Sequence, residues 1–186
     1  MVNAGIIRKL PSVLKPVTGE QGANAAVALL LRPESEDSDI LLVKRAVHPK
    51  DVWSGQMAFP GGKREPQDAH LKATVTRETF EETGINLSES RFLGVLGAAQ
   101  PMIRSGFLVL PFVVALDAEP EVKLNHSELD SHIWVPYEKI IQSNGKTTLP
   151  NFGEVPAFIL GNDVVWGMTY KILSDFIRIV ETLKTQ

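Results

Sequence analysis

Three carboxylates lie close together in the segment Arg77–Ile85, which reads Arg-Glu-Thr-Phe-Glu-Glu-Thr-Gly-Ile. On a helix that advances about 100° per residue, Glu78, Glu81 and Glu82 fall within one arc of roughly 100°. Carboxylates this close repel one another, and a divalent cation offsets the repulsion. Hard ions such as Mg²⁺ take oxygen ligands and keep positions for phosphate oxygens and water. The spacing therefore predicts a metal-binding helix for phosphate chemistry.

The same residues also fit a purely structural interpretation. An exposed helix face can be stabilised by an i, i+4 ion pair, here between Arg77 and Glu81. The preceding segment Phe59–Lys63, Phe-Pro-Gly-Gly-Lys, favours the metal site, because a glycine turn lets the backbone approach a ligand or a metal closely. A short polar loop joins this turn to the helix, so we expect turn and carboxylates to form one site.

The helix face opposite the carboxylates is expected to pack against the protein. It carries mostly small side chains with one large anchor, Phe80, and consists of Ala69, Ala73, Thr76, Phe80 and Thr83. Leu71 and Val75 point nearer to the carboxylates, so the amphipathic pattern is imperfect. Gly84 is expected to end the helix, since glycine readily takes the left-handed conformation found at many helix ends.

Composition limits the class of protein. A chain of 186 residues, 44% hydrophobic and 22% charged, is typical of one soluble globular domain. Its net charge of −3 disfavours a nucleic acid polymer as partner. Without cysteine it has no disulfide and no sulfur ligand for a metal. No stretch is apolar enough to span a membrane or to act as a signal peptide, so a cytoplasmic location and a small-molecule partner are expected. A homodimer is compatible with the sequence.

Apolar runs predict a sheet covered by helices. Residues 25–31 form a continuous apolar run that is too short for a typical helix, and they predict a buried strand. Further strands are predicted at 40–43, 92–96, 107–116 and 133–135, with a short helix at 137–142 and a loop with short strands at 143–162. Pro111 suggests a sheet edge or a bulge. An amphipathic helix is expected at 166–183. This order favours an α/β fold with a mixed sheet.

The turn and the acidic helix together resemble the Nudix box, G-x5-E-x7-R-E-U-x-E-E-x-G-U, in which U is a bulky apolar residue. The matching residues are Gly62, Arg77, Glu78, Glu81, Glu82, Gly84 and Ile85. Three departures are visible. The spacing from glycine to arginine is one residue longer, Asp68 stands near the position of the first glutamate, and Thr79 replaces an apolar residue.

This resemblance implies a Nudix-type α/β/α sandwich with a mixed sheet, formed by one domain over 1–186 with an N-terminal extension at 1–22 and the box at 61–85. It also implies hydrolysis of a diphosphate with Mg²⁺ or Mn²⁺. Carried over by position, Glu78 and Glu82 are the main metal ligands, Glu81 is a third ligand or the base that deprotonates water, and the Gly61 carbonyl completes the coordination. Arg77 orients a glutamate, most simply Glu81.

A second resemblance narrows the substrate. Segments Leu41–Ala46 and Gly55–Gly62 look like the signature L-L-T-x-R-S/A-x3-R-x3-G-x3-F-P-G-G of coenzyme A diphosphatases. Val43 replaces the threonine, Lys50 stands near the second arginine, and the gap after it is one residue longer. The resemblance implies cleavage of coenzyme A or a derivative into 3′,5′-ADP and 4′-phosphopantetheine. ADP-ribose, nucleotide sugars and nucleoside triphosphates are alternative substrates, and a non-catalytic nucleotide-binding regulator is the alternative class.

Several residues are expected to contact the substrate. Arg45, Lys50, Gly62 and Lys63 are the predicted phosphate-binding residues, although Arg45 also fits an exposed position at a strand end. Glu128 is a candidate extra metal ligand or base, against a solvated loop residue. Trp53 and Phe107 are candidates to stack on an adenine, against ordinary packing in the core. Val165–Thr169 also resembles a stretch found in coenzyme A diphosphatases.

Overall fold

A computed structural model of the chain describes residues 1–33, 37–48, 53–101 and 106–185. The helices are α1 (Ala4–Lys9), a 3-10 helix (Leu10–Ser12), α2 (Leu71–Thr83), α3 (Tyr137–Gln142) and α4 (Gly167–Lys184). The strands are β1 (Ala25–Pro33), β2 (Ser38–Arg45), β3 (Met57–Ala58), β4 (Gly61–Lys63), β5 (Arg91–Val95), β6 (Val109–Ala115), β7 (Leu129–Pro136), β8 (Asn144–Leu149), β9 (Gly153–Leu160) and β10 (Asp163–Trp166).

Strand β1 is buried on both faces, which explains why its sequence is continuously apolar. Val27, Leu29 and Leu31 belong to one hydrophobic core, which also contains residues of α1 and α4. The alternating residues Ala28 and Leu30 belong to a second core with residues of α2. Because side chains alternate across a strand, the sheet lies between two helical layers. The predicted α/β/α sandwich with a mixed sheet is confirmed.

The main sheet has seven strands. Its path runs β3-β2-β1-β6-β5, while β4 pairs with β1 and β7 pairs with β2. β1 and β6 are parallel, whereas the other pairs are antiparallel. The edge position predicted from Pro111 is wrong, because β6 lies between β1 and β5. The irregularity in this pair falls in β5 between Phe92 and Gly94, and Pro111 precedes the residues of β6 that pair with β5, Phe112–Ala115.

The short strands predicted within residues 143–162 are present, but the segment is more regular than the predicted loop with short strands. β8, β9 and β10 form a separate antiparallel three-stranded sheet, which leads directly into α4. The C-terminal helix is confirmed, and it buries Ile172, Phe176 and Leu183. Lys44 Nζ in β2 lies 2.9 Å from Asp163 Oδ1 at the start of β10, so this ion pair joins the small sheet to the main one.

Helix α2 buries a different face from the one predicted. Its buried residues are Leu71, Thr74, Val75, Thr79, Glu82 and Thr83. The prediction that Phe80 anchors the helix is wrong, because this side chain is 55% exposed. The helix packs with the face that carries Glu82, and Phe80 is consequently turned outward. The predicted end is confirmed: Gly84 has φ +72° and its N–H donates to the Phe80 carbonyl.

Within the described ranges, no helix combines the length and the apolar character that crossing a membrane requires. The polar segment at residues 33–39 predicts a solvent-exposed hairpin loop, and its residues 34–36 lie outside the described residues.

Candidate active site

The glycine turn becomes strand β4, which places two glycines beside helix α2. Gly61 pairs with Val27 and Gly62 with Ala26. Gly61 has φ +140°, and a Cβ atom there would lie 2.2 Å from the Ala26 carbonyl oxygen. Position 61 therefore requires glycine for both conformation and space. This conformation directs the backbone N–H of Gly61 toward α2, and the N–H donates to Glu82 Oε2 at 2.8 Å.

Glu82 is a buried carboxylate, only 4% exposed. Burial raises its pKa from 4.5 to about 8, and the negative charges of Glu78 and Glu128 act in the same direction. The Gly61 N–H and the positive charge of Arg45 oppose this shift in the pKa. An ionised Glu82 is therefore short of compensating positive charge, which is the electrostatic environment that a divalent cation relieves.

Glu78 lies against the second glycine. A Cβ atom on Gly62 would lie 2.4–2.5 Å from the carboxyl carbon and both carboxylate oxygens of Glu78. Burial raises the pKa of Glu78, Arg77 opposes this effect, and the negative charges of Glu81 and Glu128 add to it. Because Gly62 has no side chain, the Glu78 carboxylate can occupy the space next to it.

Arg77 connects the loop to two of the glutamates. Its Nη1 donates to Glu78 Oε1 and to Glu81 Oε2, both at 3.0 Å. Its Nη2 donates to the Lys63 carbonyl at 3.2 Å and to Asp68 Oδ2 at 2.8 Å. The contact expected between Arg77 and Glu81 is present, but Glu78 shares it. A single guanidinium therefore sets the positions of two carboxylates.

Asp68 anchors Arg77 from the other side. Its side chain is 5% exposed and accepts two bonds from Arg77, one from the Glu65 N–H and one from the Thr74 hydroxyl. The bond from Arg77 holds the pKa of Asp68 well below its usual range. The sequence left the role of Asp68 open because the loop is one residue longer than the general box. The structure shows it as the carboxylate that positions Arg77.

The three glutamates predicted to bind metal are near one another without converging on one point. Among the described residues, no group of three or more Asp, Glu or His side chains is arranged as a metal site. The reason is that Glu78 and Glu81 both bond to Arg77, whereas Glu82 bonds to the Gly61 N–H. The donor set still fits a divalent cation, since its side-chain donors are carboxylate oxygens whose charges are poorly compensated.

Two residues from other elements reach the same region. Glu128, just before β7, contributes negative charge that raises the pKa of both Glu78 and Glu82. It is exposed, and its Oε1 accepts a bond from Asn125 Nδ2 at 3.0 Å. Arg45 ends β2, and its charge acts on Glu82. The structure thus brings Glu128 and Arg45 to the carboxylates, from positions far away in sequence.

A cavity of about 390 Å³ opens beside the glycine turn. Of the predicted substrate-binding residues, Arg45, Gly62 and Lys63 line it, whereas Lys50 lies outside the described residues. Trp53 and Phe107 also line it, and Phe107 packs against the core as well. The remaining lining residues are Ala25, Val27, Gln56, Met57, Ala58, Phe59, Gly61, Pro101, Val109, Trp166, Gly167, Met168 and Thr169.

Sequence reasoning missed the contribution of the β10–α4 junction to this cavity. Met168 fits the helical spacing of the amphipathic helix predicted at 166–183, and that spacing indicates packing in the core. The resemblance of Val165–Thr169 to a stretch of coenzyme A diphosphatases marks this segment of the sequence, but it assigns Trp166 no place in a cavity. Its place becomes visible only when the small sheet lies beside the glycine turn.

The close contact between Gly62 and the Glu78 carboxylate allows a first test of whether Glu78 binds the metal. We expect Gly62→Ala to lower metal affinity on the order of 10- to 100-fold, since the new methyl group displaces the carboxylate. Stability should change little, because the displaced atoms end a flexible side chain. Calorimetric titration with Mn²⁺ and a thermal melt measure both quantities.

The matched control is Gly61→Ala, where the methyl group meets backbone and the conformation is strained. That variant should lose stability heavily. If Gly62→Ala bound Mn²⁺ like the wild type, Glu78 would not be a ligand.

Comparison with known proteins agrees with these observations. A family model described as the NUDIX domain matches residues 22–153. An uncharacterised Nudix hydrolase, NudL, of Yersinia pestis is 30% identical over 156 residues, which are 81% of this chain and 75% of that protein. An uncharacterised protein of Schizosaccharomyces pombe is 34% identical over 118 residues, or 59% of this chain. The match spans only 35% of the length of the yeast protein.

The fold also has a solved relative. The crystal structure of a MutT protein from Methanosarcina mazei superposes with a TM-score of 0.52 at 24% identity, and covers 92% of this chain and 95% of that one. At this identity the likeness concerns the fold alone. The family match includes the glycine turn, the acidic helix and Glu128, so the carboxylates of the candidate site all lie within the matched domain. The chain belongs to the Nudix hydrolase family.

Proposed function

We propose that this protein is a metal-dependent diphosphatase whose metal is held by Glu78 and Glu82, with Glu81 and the Gly61 carbonyl as further ligands. The observation that carries the proposal is the buried Glu82 carboxylate, whose pKa is raised to about 8 and which accepts a hydrogen bond from Gly61 in the cavity wall. When bound, Mg²⁺ or Mn²⁺ neutralises charge on the diphosphate and activates water.

The chain's own residues then have distinct tasks. Arg77 holds Glu78 and Glu81 in place, and Asp68 holds Arg77. Arg45 and Lys63, at the cavity wall, bind phosphate oxygens, and we assign Lys50 to the same task from its position in the signature. Proton removal from water requires a carboxylate close to the attacked phosphorus. Glu81 and Glu128 are the candidates for this base.

Coenzyme A or a derivative is the substrate that we propose, with 3′,5′-ADP and 4′-phosphopantetheine as products. The support is the signature at Leu41–Ala46 and Gly55–Gly62, whose residues Arg45 and Gly62 line the cavity. ADP-ribose, nucleotide sugars and nucleoside triphosphates share the diphosphate that the site would bind. They remain the alternatives against which coenzyme A is measured.

A product-resolved substrate panel tests the proposal. Coenzyme A, an acyl-coenzyme A, ADP-ribose, a nucleotide sugar and a nucleoside triphosphate are incubated with the protein and Mg²⁺ or Mn²⁺, and products are separated by chromatography. We expect 3′,5′-ADP and 4′-phosphopantetheine from coenzyme A, at the highest kcat/KM of the panel. If another diphosphate were cleaved faster, that compound would replace coenzyme A as the proposed substrate. Tight binding with no cleavage of any compound would favour a non-catalytic nucleotide-binding regulator.

A further inference from the structure

The cavity has one wall that lies outside the residues matched by the family model. That wall is the β10–α4 junction, represented by Trp166, Met168 and Thr169, whereas the family match ends at residue 153. The glycine turn and Arg45, which lie within the matched residues, also line the cavity. The cavity is therefore shared between the matched domain, which carries the carboxylates, and the C-terminal segment.

Trp166 is held in place by the elements around it. Its backbone pairs with Ala157 in β9, and its ring lies 5.3 Å from the ring of Phe152, centroid to centroid. Gly167 follows with φ +62°, a conformation that favours glycine and lets β10 pass directly into α4. The ion pair between Lys44 and Asp163 fixes the other end of β10. A side chain held in this way loses little entropy when a ligand binds.

The residues that line the cavity indicate the charge and the shape of the ligand that it would bind. Two of its described residues are cationic, Arg45 and Lys63, and none is acidic. Four are large aromatic residues, Trp53, Phe59, Phe107 and Trp166, and Trp53, Phe107 and Trp166 come from distant parts of the chain. A volume of about 390 Å³ falls within the usual range for small-molecule sites. These features suit a molecule with an anionic end, near the carboxylates and cations, and a flat aromatic body.

We propose that Trp166 is a specificity-determining residue that stacks on the aromatic base of a nucleotide substrate, so that the β10–α4 junction selects the half of the substrate that carries the base. Stacking of a base on an aromatic side chain contributes about 1–3 kcal/mol and tolerates different bases. The inference rests on the proposed function only in taking this cavity as the substrate site. It goes further in assigning the adenine-bearing half of the substrate to the wall formed by Trp166.

Binding of two simple probes tests this role without any hydrolysis. AMP and ribose 5-phosphate share a sugar phosphate, and only AMP has a base. By calorimetry we expect the wild type to bind AMP about 10-fold more tightly than ribose 5-phosphate, in line with the stacking of one base. Trp166→Leu, which keeps an apolar side chain without a ring, should bind both probes equally weakly. Trp166→Phe should recover most of the preference for AMP.

The control is Ile159→Ala, which removes an exposed apolar side chain from the same small sheet and should leave both affinities unchanged. Thermal melts check that each variant folds, and Trp166→Met, which also has an apolar side chain without a ring, provides the test if Trp166→Leu does not fold. The proposal is overturned if the wild type binds the two probes equally, if AMP does not bind at millimolar concentration, or if Trp166→Leu keeps the preference for AMP.

Kinetics separate this inference from the proposed function. With coenzyme A, Trp166→Leu should raise KM about 10-fold and leave kcat nearly unchanged, because the base is far from the bond that breaks. If no diphosphate is cleaved while the preference for AMP depends on Trp166, the proposed function fails and the inference stands. If coenzyme A is cleaved with an unchanged KM in Trp166→Leu, the inference fails and the function stands.

Discussion

Replacing Glu82 by glutamine is expected to reduce diphosphatase activity by about 10³-fold or more, since the several kcal/mol that a bound metal contributes to catalysis would be lost. The same change is expected to stabilise the metal-free protein at neutral and alkaline pH. Both effects have one cause: Glu82 is a buried carboxylate, 4% exposed, that lacks enough positive charge around it. Glutamine removes the charge and keeps an oxygen that can accept the Gly61 N–H.

The pH dependence of this stability has a definite sign. The pKa of Glu82 is about 8 in the folded protein, against 4.5 in the unfolded chain. Between these values the folded state holds a proton that the unfolded state has released, so stability falls as the pH rises. At about 1.4 kcal/mol per unit of pKa, the loss at pH 8 has an upper limit on the order of 5 kcal/mol. Below pH 4.5 this loss is absent.

Thermal melts at several pH values, with and without Mn²⁺, measure these effects. Without metal, Glu82→Gln should melt roughly 4 °C or more above the wild type at pH 8, and the difference should shrink as the pH falls toward 4.5. Adding Mn²⁺ should raise the melting temperature of the wild type and not that of the variant. Full activity in the variant would remove Glu82 from the mechanism.

Two further variants make the result specific. Glu89→Gln removes an exposed carboxylate outside the candidate site, and it should change neither activity nor the pH dependence of stability. Glu81→Gln separates the two tasks considered for Glu81. If Glu81 is the base, activity falls while Mn²⁺ still stabilises the protein as in the wild type. If Glu81 is an essential ligand, that stabilisation is lost as well.

The sequence predicted the parts of the site that depend on local pattern. The segment Arg77–Ile85 is helical up to Thr83, Gly84 ends the helix, and the glycine turn lies beside it, because capping and spacing along one helix are local properties. The strand at 25–31 was also predictable, since a short apolar run with no polar face fits only a strand that is covered on both sides.

The sequence misled where local rules conflict with the site. Phe80 was expected to be buried because charged residues usually lie on the exposed side of a helix. Here the helix buries the face with Glu82, which a structural role alone would disfavour. Such conflicts between local pattern and fold are expected at functional sites. The exposed Phe80 and the buried Glu82 are thus two consequences of the same orientation of α2.

Other parts of the site depend on contacts between distant residues, which one sequence does not specify. Trp53, Phe107 and Trp166 meet at one cavity although more than fifty residues separate each from the next. Pro111 was misplaced for the same reason, because the neighbours of β6 are set by the topology of the whole sheet. Asp68 was partly predictable. Its carboxylate near the position of the first glutamate of the box suggested a functional role, but the extra residue before the helix left its partner Arg77 unidentified.

Asp68 gives the second large effect, on stability and metal binding together. Asp68→Ala is expected to destabilise the protein by about 3–5 kcal/mol, because it removes one partner of a largely buried ion pair. The side chains of Asp68 and Arg77 are 5% and 20% exposed. The Glu65 N–H and the Thr74 hydroxyl lose their acceptor as well. Without Asp68, the Arg77 guanidinium interacts more strongly with the carboxylates of Glu78 and Glu81. These two carboxylates are then less available to bind a metal.

Urea unfolding and Mn²⁺ titration measure the two effects, and Glu65→Ala is the control, since it alters the same loop and keeps the backbone N–H that bonds to Asp68. Metal affinity should fall about 10- to 100-fold in Asp68→Ala. Because the folded pKa of Asp68 is depressed from 3.8, its contribution to stability is present above that pH and is lost as the pH falls further. The wild type loses this contribution as the pH falls below the ordinary pKa of aspartate, about 3.9. Over that range the free energy of unfolding of Asp68→Ala should therefore fall less than that of the wild type. An unchanged urea midpoint with unchanged Mn²⁺ affinity would show that Arg77 keeps its position without Asp68.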